Sequence, residues 1–84
     1  MARYFFHVRM TDEMLIPDRI GIEFRNLEAA KADAAQAVRE TIAEKKVAGE
    51  PLNFASLEIA DRRGRVLAIL RFTGDEPPRR ETKQ

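Results

Sequence analysis

The sequence predicts an α+β domain: a two-layer sandwich in which an antiparallel-dominated sheet is covered on one face by one helix. Three observations lead there. Residues 3–9 alternate with a period of two, the segment from Asn26 to Gly49 changes to a period of 3.6, and residues 56–72 return to short apolar runs around one turn. The order strand, strand, helix, strand, strand leaves a single helix to cover the sheet.

The first strand sets Tyr4, Phe6 and Val8 on one side against Arg3, Phe5, His7 and Arg9 on the other. A polar turn at Thr11-Asp12-Glu13 follows. The returning strand begins at Met14-Leu15-Ile16 and meets Pro17, which has no N–H to give a ladder, so it is expected to be irregular or at an edge. It resumes at Ile20-Gly21-Ile22-Glu23-Phe24, with Gly21 marking a bulge or bend.

Asn26 reads as a helix N-cap, with Glu28 in the first turn, Lys45 and Lys46 in the last, and Gly49 and Pro51 beyond the end. Leu27, Ala30, Ala34, Val38, Thr41 and Ile42 fall on one side of that helix, and Asp33, Gln36, Arg39, Glu40 and Glu44 on the other. The inward stripe is mostly alanine, which lets a helix lie close to a sheet carrying bulky aromatic and leucine side chains.

The second hairpin joins Ser56–Ala60 to Val66–Phe72 through Asp61-Arg62-Arg63-Gly64, where glycine suits the left-handed position of a type I turn with a bulge. That loop sets Asp61 opposite Arg65, hence Ile59 opposite Leu67 and Leu57 opposite Ile69, and these four are expected to face the helix. Val66, Ala68, Leu70 and Phe72 would then lie on the uncovered side, too apolar for a solvated surface. A two- or four-residue loop would exchange the two sets. In either register one apolar set has no covering element, and the set Val66, Ala68, Leu70 and Phe72 is the candidate self-association face.

Residues 1–72 are expected to form one domain and 73–84, which contain no apolar side chain able to anchor them, a disordered tail. The 84-residue chain has no cysteine, so it must fold without disulfides, and a domain of this size buries only roughly 60% of its surface on folding. Its longest apolar run, Val66–Leu70, is far short of a membrane span, and the N-terminus lacks the pattern of a secretory signal, so a cytoplasmic address is expected. The net charge is +1, but residues 1–9 and 51–72 each carry +2 while residues 10–25 carry −2.

The residues give little to chemistry. Ser56 and His7 are each the only residue of their type, Ser56 at a strand start without a nucleophile-elbow glycine pattern and His7 in mid-strand, so catalysis is not expected. Asp12, Glu13 and Asp18 lack the alternation of a calcium loop, and the four glycines form no phosphate cradle; no metal or cofactor is expected. A weak nucleic-acid face could be assembled from Arg3, Phe5, His7 and Arg9 on one side of the first strand with Arg62, Arg63 and Arg65 at the hairpin tip. The near-balanced charge argues against it.

The segments Arg3-Tyr4-Phe5-Phe6-His7-Val8, Ile16-Pro17-Asp18, Gly21-Ile22-Glu23, Asn26-Leu27-Glu28-Ala29-Ala30 and Asp61-Arg62-Arg63-Gly64-Arg65 resemble a bacterial family of short uncharacterised proteins. The resemblance spans nearly all of residues 3–72 and implies a fold without catalytic residues to carry over. Pro17-Asp18, Gly21 and Leu27-Glu28-Ala29 are also similar to the N-terminal module of HicB-type antitoxins, which implies an antitoxin-type binding protein; the DNA-binding element that follows there has no counterpart in residues 73–84. The expectation is a small non-enzymatic module that binds a partner or itself, most simply as a homodimer through the sheet face or the last strand.

Overall fold

The computed structural model describes residues 1–72; the expected tail, 73–84, lies outside the described residues. The chain runs β1 (Ala2–Met10), β2 (Leu15–Ile16), β3 (Ile22–Phe24), α1 (Leu27–Ala48), β4 (Phe54–Ala60) and β5 (Val66–Arg71). Every pairing is antiparallel, in the order β2-β1-β4-β5, with β3 also on β1. This is the α+β arrangement the periodicities predict.

The return strand is irregular and at the edge, as Pro17 requires. It is split into two pieces: β2 faces Val8 and Arg9, and β3 faces Ala2, Arg3 and Tyr4. Between them the loop 17–21 leaves the ladder, and Asp18 takes over its hydrogen bonding. The Phe6 N–H donates to Asp18 Oδ2 at 3.1 Å, and Oδ1 accepts from the N–H groups of Ile20 and Gly21 at 3.0 and 3.1 Å. The Asp18 N–H in turn donates to His7 Nδ1 at 3.0 Å. Gly21 closes the loop at φ 75°, where an added Cβ would stand 2.8 Å from Arg3 Cγ and 2.9 Å from the Tyr4 carbonyl oxygen. Only glycine fits so close an approach of two backbones.

Helix α1 is capped as its sequence specifies. Asn26 Oδ1 accepts the Ala29 N–H at 2.9 Å, while left-handed Gly49 and the following Glu50 turn their N–H groups back to Lys46 and Lys45 carbonyls. Ala30, Ala34, Val38 and Ile42 are buried against Tyr4, Leu57 and Ile59, and Leu27 packs at the margin. The fully buried Ile59 sits at the centre of the sheet under the alanines.

The β4–β5 turn has the predicted form: the Asp61 N–H donates to the Arg65 carbonyl at 2.9 Å, and Gly64, at φ 87°, donates to the Asp61 carbonyl at 3.0 Å. The register beyond it differs from expectation. Ala60 faces Val66 but Ile59 faces Ala68, so Leu67 is an extra residue in β5, and Leu57 faces Leu70 rather than Ile69. This bulge exchanges the two sides of the strand. Ala68, Leu70 and Phe72 pack against the core on the helix side, so the set Val66, Ala68, Leu70 and Phe72 does not form one uncovered face. Leu67 and Ile69, expected beneath the helix, are exposed instead, as is Val66.

Candidate interaction surface

The side of the sheet opposite α1 is built from Arg3, Phe5, His7 and Arg9 of β1, Ser56, Glu58 and Ala60 of β4, and Ile69 and Arg71 of β5, as the cross-strand pairs dictate. Its charged groups are largely engaged in holding strands together. Arg3 donates to the Ile20 and Gly21 carbonyls at 2.9 and 3.2 Å and pairs with Glu23 at 3.4 Å. Arg9 pairs with Glu58 across the β1–β4 ladder at 3.3 Å and donates to the Glu13 carbonyl. His7 gives its Nδ1 lone pair to Asp18. Phe5 is half-buried.

At the hairpin tip Arg65 pairs with Asp61 at 3.4 Å, and Arg62 and Arg63 form no ion pair among the described residues. The Arg65 backbone N–H is the main influence holding the Asp61 carboxyl below the usual range for aspartate; slight burial opposes it, and the Arg63 N–H and the Arg65 side chain add to it. A shallow hollow of about 190 Å³ joins Phe5 and His7 to Asp61, Arg62 and Gly64. Of the residues read as a nucleic-acid face, Phe5, His7 and Arg62 therefore do converge, whereas Arg3, Arg9 and Arg65 each face a carboxylate. Ser56 is buried. Among the described residues no three metal-ligating side chains come together, and no helix is long and apolar enough to cross a membrane.

The two edges of the sheet are unequal. One is formed by the short β2 and β3, separated by the loop that Pro17 starts and Asp18 fills. The other is β5, six residues with a bulge at Leu67, with no strand on its outer side among the described residues. The Phe72 N–H donates to the Ala55 carbonyl at 2.9 Å. Since backbone groups of an antiparallel pair point alternately toward and away from the partner, Leu70 and Ala68 also turn inward and Ile69 and Arg71 turn their N–H and C=O groups outward. Beside that edge Val66, Leu67 and Ile69 are 48%, 40% and 49% exposed. Of the four residues named from the sequence, Val66 is exposed beside this edge, and Ala68, Leu70 and Phe72 pack toward the helix.

One helix over one face of an antiparallel sheet, with one open edge strand, defines an α+β fold. The chain belongs to the family described as domain of unknown function DUF6894, whose model matches residues 3–73. Comparison with curated proteins and with solved structures gave no match.

Proposed function

We propose that the domain is a non-catalytic, self-associating module and that β5 is where it joins a second copy. The observation that supports this reading is the outer edge of β5: outward backbone groups at Ile69 and Arg71 beside exposed Val66, Leu67 and Ile69. Edge strands of monomeric proteins are usually short, interrupted or guarded by lysine or proline. The β2/β3 edge is built that way, whereas β5 has its bulge at Leu67, near its start, and beyond it only Arg71, so residues 68–71 are the regular stretch open to pairing. Two copies paired antiparallel along β5 extend one continuous sheet and put their basic turns, with Arg62, Arg63 and Arg65, at opposite ends. A parallel pairing would bring those turns together.

An edge contact of this kind is small, so association belongs in the micromolar range. Sedimentation equilibrium from about 1 to 200 µM is expected to show a monomer–dimer transition, the span over which such an interface populates both states. A single monomeric species throughout overturns the reading. Binding of single-stranded nucleic acid through Phe5, His7 and Arg62 has less support, because only Arg62 and Arg63 of the arginines in question are without a carboxylate among the described residues.

A further inference from the structure

His7 occupies an unusual position for a strand histidine. Its Nδ1 accepts the backbone N–H of Asp18, while the carboxylate of the same Asp18 accepts the N–H of Phe6, the strand neighbour of His7. The two residues therefore hold each other across the gap between β2 and β3, where the ladder on that edge of β1 is interrupted. A backbone amide can only donate, so Nδ1 must carry its lone pair and the ring proton must reside on Nε2. A second proton would turn Nδ1 into a donor facing another donor.

We propose that His7 is a proton-operated clasp on the Asp18 amide of the loop 17–21: neutral, it holds that N–H in the gap in the sheet edge; protonated, it releases it. The charged form has acceptors to turn to. Asp18 itself lies beside the ring, Glu58 is directly opposite on β4, and Asp61 of the hairpin turn lines the same hollow. Arg9, next on the same face of β1, is drawn off by Glu58, and Arg62 is the one other cation in that hollow. The ring can thus take up a proton and stay in place while the Asp18 N–H lets go. Asp18 keeps its grip on Phe6, Ile20 and Gly21 through its own carboxylate, so the release is confined to one amide and does not unfold the strand.

The consequence is one hydrogen bond of the sheet edge, from the Asp18 amide to His7, that depends on pH. Arg3 anchors the loop at the far side through the Ile20 and Gly21 carbonyls, leaving the Asp18 amide as the part His7 controls. This inference is independent of self-association through β5, which lies at the opposite edge of the sheet.

Histidine changes charge between about pH 5 and 8, and His7 is the only histidine of the chain, so its ring signals are unambiguous. The test is nitrogen-15 NMR of the full chain over that range. At pH 8 the expected ring state is Nε2–H with Nδ1 unprotonated. On lowering the pH, the Asp18 amide resonance is expected to move with the same midpoint as the His7 ring. Its hydrogen exchange, corrected for the intrinsic rate, is expected to quicken about fivefold, the factor of one ordinary hydrogen bond. His7→Asn puts an amide oxygen, an acceptor that does not titrate, in the place of Nδ1 and is expected to abolish the Asp18 step while leaving the fold intact. A ring proton on Nδ1 at pH 8, an Asp18 amide indifferent to the His7 midpoint, or a step that survives in His7→Asn would each overturn the clasp. The first two readouts need only the wild-type chain.

Discussion

Asp18 and Gly21 together make an interrupted edge strand possible, and both can be tested one substitution at a time. Burial disfavours the Asp18 carboxylate, but the N–H groups of Phe6, Gly21 and Ile20 and the nearby His7 outweigh it and hold the carboxyl below the ordinary aspartate value. A group whose folded pKa is depressed adds stability above its unfolded pKa, about 3.9, and loses it as pH falls through the lower folded value. Urea denaturation of the wild type is therefore expected to show this contribution intact at pH 6 and draining away below about pH 4, the unfolded aspartate value. Asp18→Asn is expected to cost about 1 kcal/mol at pH 6, with a shallower acid decline. Gly21→Ala forces a Cβ against the Tyr4 carbonyl at positive φ and is expected to cost about 3 kcal/mol, near the top of the usual range for one substitution. Gly64→Ala, where an added Cβ meets open space, is expected to cost only the left-handed penalty of about 1 kcal/mol. Equal losses in thermal or urea unfolding would remove the distinction. Pro17 and Gly21 announced the break in the strand from sequence alone. The role of Asp18 did not show, because it depends on which backbone amides the break leaves unpaired.

Among the elements, the helix was legible almost residue by residue, and the last strand was not. Asn26, Glu28, Lys45, Lys46 and Gly49 each carry a local signal that needs no partner, and Ala30, Ala34, Val38 and Ile42 recur at helical spacing on the buried side. In β5 both sides are apolar: Val66, Leu67 and Ile69 are hardly distinguishable in character from Ala68, Leu70 and Phe72. Register is strongly specified only when its two faces differ, so the extra residue at Leu67 left no trace in the pattern. The alanine stripe makes its own demand. Ala30 and Ala34 are essentially without exposure against the sheet, so the helix can rest on Ile59 and Tyr4 only while those positions stay small. Ala34→Leu adds volume with no cavity to receive it, and leucine is a slightly poorer helix former than alanine, so it is expected to destabilise by about 2 kcal/mol in urea denaturation. An unchanged unfolding midpoint would mean that the helix–sheet spacing can yield.

For the molecule as a whole, one helix over a five-stranded sheet leaves a face and an edge without cover among the described residues. The sequence showed that some apolar set of the last strand had to be left over; the register showed that in β5 it is Val66, Leu67 and Ile69, while Leu15, Ile16, Ile20 and Ile22 are exposed at the opposite edge. Ile69 separates folding from association, because its side chain is half-exposed while its backbone groups point outward beside Arg71. Ile69→Lys sets a charge on the edge, the device by which natural sheets prevent pairing, without touching the helix-side core. It is expected to leave the far-ultraviolet circular dichroism unchanged and to weaken dimerisation at least about tenfold, a loss of about 1.4 kcal/mol or more. The wild type, if folding is linked to pairing, melts at a temperature that rises with protein concentration; the variant is expected to melt at one temperature throughout. Ala68→Lys serves as the contrast. It drives a charge into the helix-side packing and is expected to lower stability at every concentration. Should Ile69→Lys dimerise as tightly as the wild type, β5 is not the interface.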